Sequence, residues 1–164
     1  MRVREIMEPV TAHSLYLSPD ETIREAVNKL KSTKLAYYQA GVKGLPVMDR
    51  NGKLIGMVAI KDILRAVVPP YMTSALSDFT WEGWLENKVR QAADMKVSEI
   101  MTTHLVTIEE DAPLMECANL FLQYNLQRIP VLNKENKLVG VVYLRNIYHA
   151  IMSFLLDGEA GNDT

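Results

Sequence analysis

Three histidines, one cysteine and a few clustered carboxylates are the side chains of this 164-residue sequence with catalytic or metal-binding potential of their own. A histidine works as a general base or metal ligand only beside a partner held at fixed distance. His13, His104 and His149 fall in an early loop, at the end of a first strand and in a closing helix, with no acid or nucleophile at a recurring spacing. Cys117 lies on an apolar row with Leu114, Ala118 and Phe121, where a small thiol packs rather than reacts. Glu109-Glu110-Asp111 precedes a helix, a place that favours negative charge without any catalytic role. Asp49-Arg50-Asn51-Gly52 has the composition of a turn and lacks the further oxygen ligands of a calcium loop. These patterns point away from an enzyme, a resident metal and any required cofactor.

The composition narrows the class further. With 48% apolar and 23% charged residues and a formal net charge of -2, the chain reads as an ordinary soluble globular protein. It lacks the cationic surface that displaces counterions from nucleic acid, so no nucleic-acid partner is expected. A single cysteine forms no intramolecular disulfide. The start, with Arg2, Arg4, Glu5 and Glu8, lacks the apolar core of a secretory signal. No apolar run approaches the ~20 residues of a membrane helix, so the expectation is a cytoplasmic protein without a membrane partner.

What the chain does contain is an internal repeat. Val-Arg-Glu-Ile-Met at 3–7 returns as Val-Ser-Glu-Ile-Met at 97–101, an offset of 94. The segment 46–63 returns without a gap at 130–147, an offset of 84, with Pro, Val, Lys, Leu, Gly, Val and Ile at matching places. Between them, Ile23, Ala26, Val27 and Leu30 mark an amphipathic helix that recurs 91 residues later as Leu114, Cys117, Ala118 and Phe121. The first helix is expected to open at Ser18-Pro19-Asp20-Glu21, with Ser18 as cap, and the second at Asp111 with Pro113 in its first turn. Each helix is followed by two apolar runs around a polar turn, a β-hairpin pattern, and then by a closing helix starting near Ile60 or Leu144. The methionines, including Met7, Met48, Met57 and Met101, recur on apolar segments as packing residues.

The spacing therefore predicts a mixed α/β (α+β) fold of two tandem β-α-β-β-α repeats, residues 1–68 and 97–156. The repeats are expected to pack sheet to sheet, since one unit of this size buries too little surface alone. The falling offset places an insertion in repeat one near Ser32 to Gly41, read as extra helix ending at Gly41. Pro69-Pro70 should end the closing helix. The 69–96 linker carries Trp81, Leu85, Val89 and Ala92 at near-helical spacing with Trp84 beside them, and residues 157–164 read as a disordered tail. The tryptophans suit packing on the module's side or an interface with another subunit.

These motifs resemble the cystathionine-β-synthase (CBS) domain family: V-x-x-I-M, then P-V-x-D-x-x-G-x-L-x-G, then an acidic residue opening the last helix. Repeat one matches nearly throughout; repeat two has Asn133 and Asn136 in place of the turn's Asp and Gly. The resemblance implies a stand-alone CBS pair, or Bateman module, of pseudo-twofold symmetry, whose two clefts bind AMP, ADP, ATP or S-adenosylmethionine. In the family a hydroxyl and helix-start amides hold phosphate while an acid accepts from the ribose hydroxyls. Carried over residue by residue, repeat one offers Ala59 where the hydroxyl belongs and Asp62 as the ribose acid, with Lys61 beside it and Lys43 ahead of the hairpin.

Repeat two offers Tyr143, Arg145, Asn146 and Arg128 at the matching positions. Tyr143 either donates its hydroxyl to a phosphate or fills the cleft, with filling favoured. Thr102 and Thr103 add hydroxyls after the Ile-Met of repeat two, where repeat one has Glu8-Pro9. The basic groups serve either phosphate or solvent. The implied function is a regulatory module that binds an adenosine-containing ligand, forms a homodimer and signals to a regulated protein. The competing expectation is a ligand-free dimerisation or docking adaptor, favoured by Ala59, Tyr143 and Asn146.

Overall fold

A computed structural model describes residues 1–13, 15–33, 42–68 and 83–160. In chain order they form a 3₁₀ turn (Val3–Glu5), β1 (Glu8–Pro9), α1 (Val10–His13), α2 (Ile23–Ser32), β2 (Gly44–Met48), β3 (Leu54–Ala59) and α3 (Ile60–Val67). Then follow α4 (Trp84–Ala92), α5 (Val97–Ile100), β4 (Ile108–Glu109), α6 (Leu114–Tyr124), β5 (Arg128–Leu132), β6 (Leu138–Tyr143) and α7 (Leu144–Ala160). The mixed α/β class and the helix–hairpin–helix order of both repeats agree with the periodicities.

The chain divides into two compact units, and the opening segments change places between them. Tyr16–Leu105 forms what we term the N-unit; Met1–Leu15 together with Val106–Thr164 forms the C-unit. Each unit thus holds the helix–hairpin–helix body of one repeat and the V-x-x-I-M segment of the other.

The C-unit sheet runs β1-β6-β5-β4, with β4 parallel to β5 and the remaining neighbours antiparallel. In the N-unit the β2–β3 hairpin is joined by Leu17, parallel to Val47, and by Thr102, antiparallel to Met57. The two hairpins share one register: Gly44 faces Ala59 as Arg128 faces Tyr143. Both turns are closed by the same side-chain device. Asp49 Oδ1 accepts from the amides of Asn51 and Lys53, and Asn133 Oδ1 accepts from those of Glu135 and Lys137. The left-handed position falls on Gly52 in one turn and Asn136 in the other, at φ 81° and 63°. Asparagine tolerates that conformation better than other side-chain-bearing residues, which is why the repeat-two turn survives without its glycine.

Val3, Ile108, Cys117, Phe121, Ile129, Val131, Val142 and Ile147 form the C-unit core. In the N-unit, Ile23, Val67 and Ala92 form one cluster, and Leu17, Leu45, Val47 and Val58 are fully buried. Several boundaries differ from expectation. Helix α2 starts at Ile23 with Thr22 as its cap, accepting from the Glu25 amide at 3.2 Å. Ser18 to Glu21 forms instead a separate turn, in which the Glu21 carboxylate accepts from the Ser18 amide. Extended backbone at Thr22, which bridges to Lys96, prevents the helix from beginning earlier.

Helix α6 begins at Leu114 behind an extended Pro113, rather than from Asp111. Helix α7 continues to Ala160, through the first part of the segment expected to be a disordered tail. Of the linker row, Ala92 is buried while Leu85 and Val89 are exposed. Trp81 and the expected extra helix ending at Gly41 lie outside the described residues. No helix among the described residues is long and apolar enough to cross a membrane.

Candidate functional site

In the N-unit, strand β3 hands over to α3 at Ala59, and the start of α3 gathers the residues singled out in repeat one. The Ile60 amide donates to the Lys43 carbonyl at 3.2 Å, which brings the beginning of β2 against the start of α3. Asp62, at the third helical position, is buried with 6% of its surface exposed. Its Oδ2 accepts from the Ala59 amide at 2.8 Å, closing the first turn of the helix. Its Oδ1 accepts from the Thr102 hydroxyl at 2.7 Å and from the Arg65 guanidinium at 2.9 Å. Lys43, Lys61 and Thr103 are exposed. The result is a buried carboxylate tied to three donors, one of them the Arg65 cation.

The C-unit brings the repeat-two residues together in the same frame. The Leu144 amide donates to the Gln127 carbonyl at 2.9 Å, and Arg128 faces Tyr143 across the hairpin. Asn146 Oδ1 accepts from the Tyr143 amide at 2.7 Å, so the amide side chain replaces the carboxylate as the helix-closing acceptor. Its Nδ2 donates to Glu8 Oε1 at 3.2 Å. Tyr143 and Asn146 are buried, Arg128 is half-buried and Arg145 exposed.

Eight of the nine candidate residues lie on or beside two helix starts along the backbone: Lys43, Ala59, Lys61 and Asp62 at one, Arg128, Tyr143, Arg145 and Asn146 at the other. Thr103 follows Thr102, the residue whose hydroxyl reaches Asp62, and is itself exposed. Three contributions are absent from the sequence expectations: Arg65, Thr102 as the partner of Asp62, and Glu8 as the partner of Asn146. A signal was present, since the Asp-to-Asn change at 146 and the Thr-to-Glu change at 8 occur in partner positions of the repeat.

Two other features fall outside these clusters. A cavity of about 450 Å³ in the C-unit is lined by Thr107, Glu109, Asp111, Glu116, Leu132 and Asn136 among others, an acidic surface unsuited to phosphate. Burial pushes the Cys117 thiol up to about 12, with the Glu116 charge adding to it, so this sulfur stays protonated and packs as an apolar group. Among the described residues, no group of three or more His, Cys, Asp or Glu side chains is placed to hold a metal ion.

A duplicated helix–hairpin–helix body with an acid or amide closing the last helix defines a two-copy α/β repeat protein. The CBS domain family model matches residues 3–69 and 97–153, and the chain belongs to the CBS domain family. Inosine-5'-monophosphate dehydrogenase of Methanocaldococcus jannaschii is 28% identical over 88% of this chain, which spans only 23% of that enzyme's length. A CBS domain-containing protein of Dictyostelium discoideum is 25% identical over 93% of this chain and 95% of its own. Among solved structures, CBSX2 of Arabidopsis thaliana superposes with a TM-score of 0.71 at 24% identity, covering 93% of this chain and 95% of that one. A structure of CBSX2 in complex with AMP gives 0.67 at the same identity, covering 93% and 97% of the two chains.

Proposed function

We propose that this CBS pair is a cytoplasmic regulatory module that binds an adenosine-containing ligand, AMP, ADP, ATP or S-adenosylmethionine, at the N-unit helix start and signals to a partner protein. One observation carries the reading: the buried Asp62 carboxylate is paired with Arg65 in the first turns of a helix whose start also carries Lys61 and is bonded to the backbone of Lys43. A carboxylate accepts from paired ribose hydroxyls, and cations beside it suit phosphate oxygens. The AMP complex of CBSX2 supports the choice of ligand class. Binding regulates a partner only to the extent that the ligand prefers one conformation of the module over another.

A specific observation also favours the adaptor reading. Asp62 already accepts from Ala59, Arg65 and Thr102, so a ribose must displace or share these donors. Ile60 and Leu64 on α3, and Tyr148, Ile151 and Leu155 on α7, are exposed at helical spacing and suit a homodimer contact.

Titration calorimetry with AMP, ADP, ATP and S-adenosylmethionine separates the two. The regulatory reading expects saturable heat with at least one ligand and a tenfold or greater weakening in Asp62→Asn. That factor reflects a hydrogen bond to a charged group, worth about 1.5–3 kcal/mol, being replaced by a neutral one worth about 0.5–1.5. Silence across the panel in folded, ligand-free protein sinks that reading in favour of the adaptor.

A further inference from the structure

Asp62 with Thr102, and Asn146 with Glu8, are the same contact made twice with donor and acceptor exchanged. Position 146 follows 62 by 84 residues and position 102 follows 8 by 94, the two offsets of the repeat. The seats agree in backbone detail. Glu8 stands opposite Val141 and Thr102 opposite Met57, positions again separated by 84. Thr102 and Met57 exchange both backbone hydrogen bonds at 2.9 Å. Met7 fits against Gly140 and Met101 against Gly56, in each case so closely that a Cβ on the glycine would collide with the methionine.

Each opening segment therefore meets two seats of the same shape, one in its own repeat and one in the other. Both segments carry Val-x-x-Ile-Met, so apolar packing discriminates weakly between the seats. The polar residues discriminate strongly. In the seat of its own repeat, Glu8 would take the exposed place of Thr102 and set a second carboxylate against the buried Asp62. Neither could supply the proton that Thr102 now donates. In the C-unit, Asn146 turns an N–H toward Glu8, which Asp at that position could not do while ionised.

We infer that Glu8 and Thr102 are matched keys for Asn146 and Asp62, and that the excluded Glu8–Asp62 pairing directs each opening segment to the opposite repeat. Specificity of this kind is a difference between a satisfied pairing and a repelled one. On this view Asn146 is a consequence of Glu8, independent of any ligand.

The test is a set of urea-unfolding cycles on the full chain at pH 7.5. Asn146→Asp sets a carboxylate against Glu8 and should lower the folding equilibrium constant tenfold or more. Adding Glu8→Thr copies the Thr102–Asp62 contact into the C-unit and should recover at least tenfold. Exchanging the keys, Glu8→Thr with Thr102→Glu, should be strongly destabilising, and adding Asp62→Asn with Asn146→Asp should restore folding. If Asn146→Asp or the exchanged pair fails to fold alone, its rescue remains readable. Failure of Glu8→Thr to rescue Asn146→Asp, or a fourfold variant no better than the exchanged keys alone, overturns the inference.

Discussion

At the start of α3 a carboxylate collects donors from Ala59, Arg65 and Thr102, whereas at the start of α7 an amide divides its work, accepting from Tyr143 and donating to Glu8. The backbone frames around these two side chains are alike down to the hairpin register and the glycine that admits a methionine. Duplication has thus preserved shape at both places and let the polar chemistry change. The change is coupled, because a buried donor left without an acceptor costs about 1–3 kcal/mol and a buried charge left unpaired costs more. Repeat two lost a carboxylate from its helix and gained one on the segment that meets it.

The largest effect that would sharpen this comparison lies at the two glycines. A Cβ on Gly140 would stand 2.6 Å from Met7 Sδ and 2.9 Å from the Glu8 carbonyl oxygen; on Gly56 its three nearest atoms would all belong to the Met101 side chain, with Sδ at 2.5 Å. A methionine can swing aside, but the carbonyl is fixed in the β1–β6 pairing. Gly140→Ala should therefore cost about 3 kcal/mol and Gly56→Ala about 1 kcal/mol, within the usual range for overpacking. Urea unfolding of the two variants measures both. Equal costs would mean that the seats differ less in rigidity than their contacts indicate.

A smaller difference separates the helices that open the two bodies. Thr22 caps α2 through its side chain, while the matching residue of α6, Pro113, makes no side-chain cap. Thr22→Ala should cost about 1 kcal/mol, the ordinary value for a lost cap. Pro113→Ala should change stability by less than half of that. Thermal unfolding of the pair checks the order, and a reversed order would show that the proline's restriction of the unfolded chain outweighs the threonine's hydrogen bond.

The repeat, the hairpins and the closing helices were legible because each rests on periodicity within a short stretch of chain. Ile23, Ala26 and Leu30, or Val131 and Leu138, declare their faces locally. The exchange of the opening segments was not legible. Val3 and Val97 share the local pattern Val-x-Glu-Ile-Met, and which body each joins depends on contacts far away in the sequence. The cap of α2 was misplaced for a related reason: Ser18-Pro19-Asp20-Glu21 has every local mark of a helix start, yet Thr22 is held extended by its bridge to Lys96. At the helix starts, Lys43, Asp62, Tyr143 and Asn146 followed from motif alignment. Thr102 and Glu8 acquired their meaning only when the fold brought them to those side chains.

The outer faces of α2 and α6 offer the smallest expected effect. On α2, Arg24 and Lys31 face solvent; the matching residues on α6 are Met115 and Leu122, with 80% and 84% of their surfaces exposed. Side chains so exposed contribute little to folding of the single chain, so Met115→Arg with Leu122→Lys should leave stability within about 0.5 kcal/mol. Thermal unfolding at two protein concentrations a hundredfold apart provides the check. If this apolar pair instead lies against a second copy in solution, the unsubstituted protein melts higher at the higher concentration and the doubly charged variant loses that dependence. An unchanged melting temperature in both proteins would mean that α6 tolerates exposed apolar residues where α2 carries charge, and that this face drifted without a partner to constrain it.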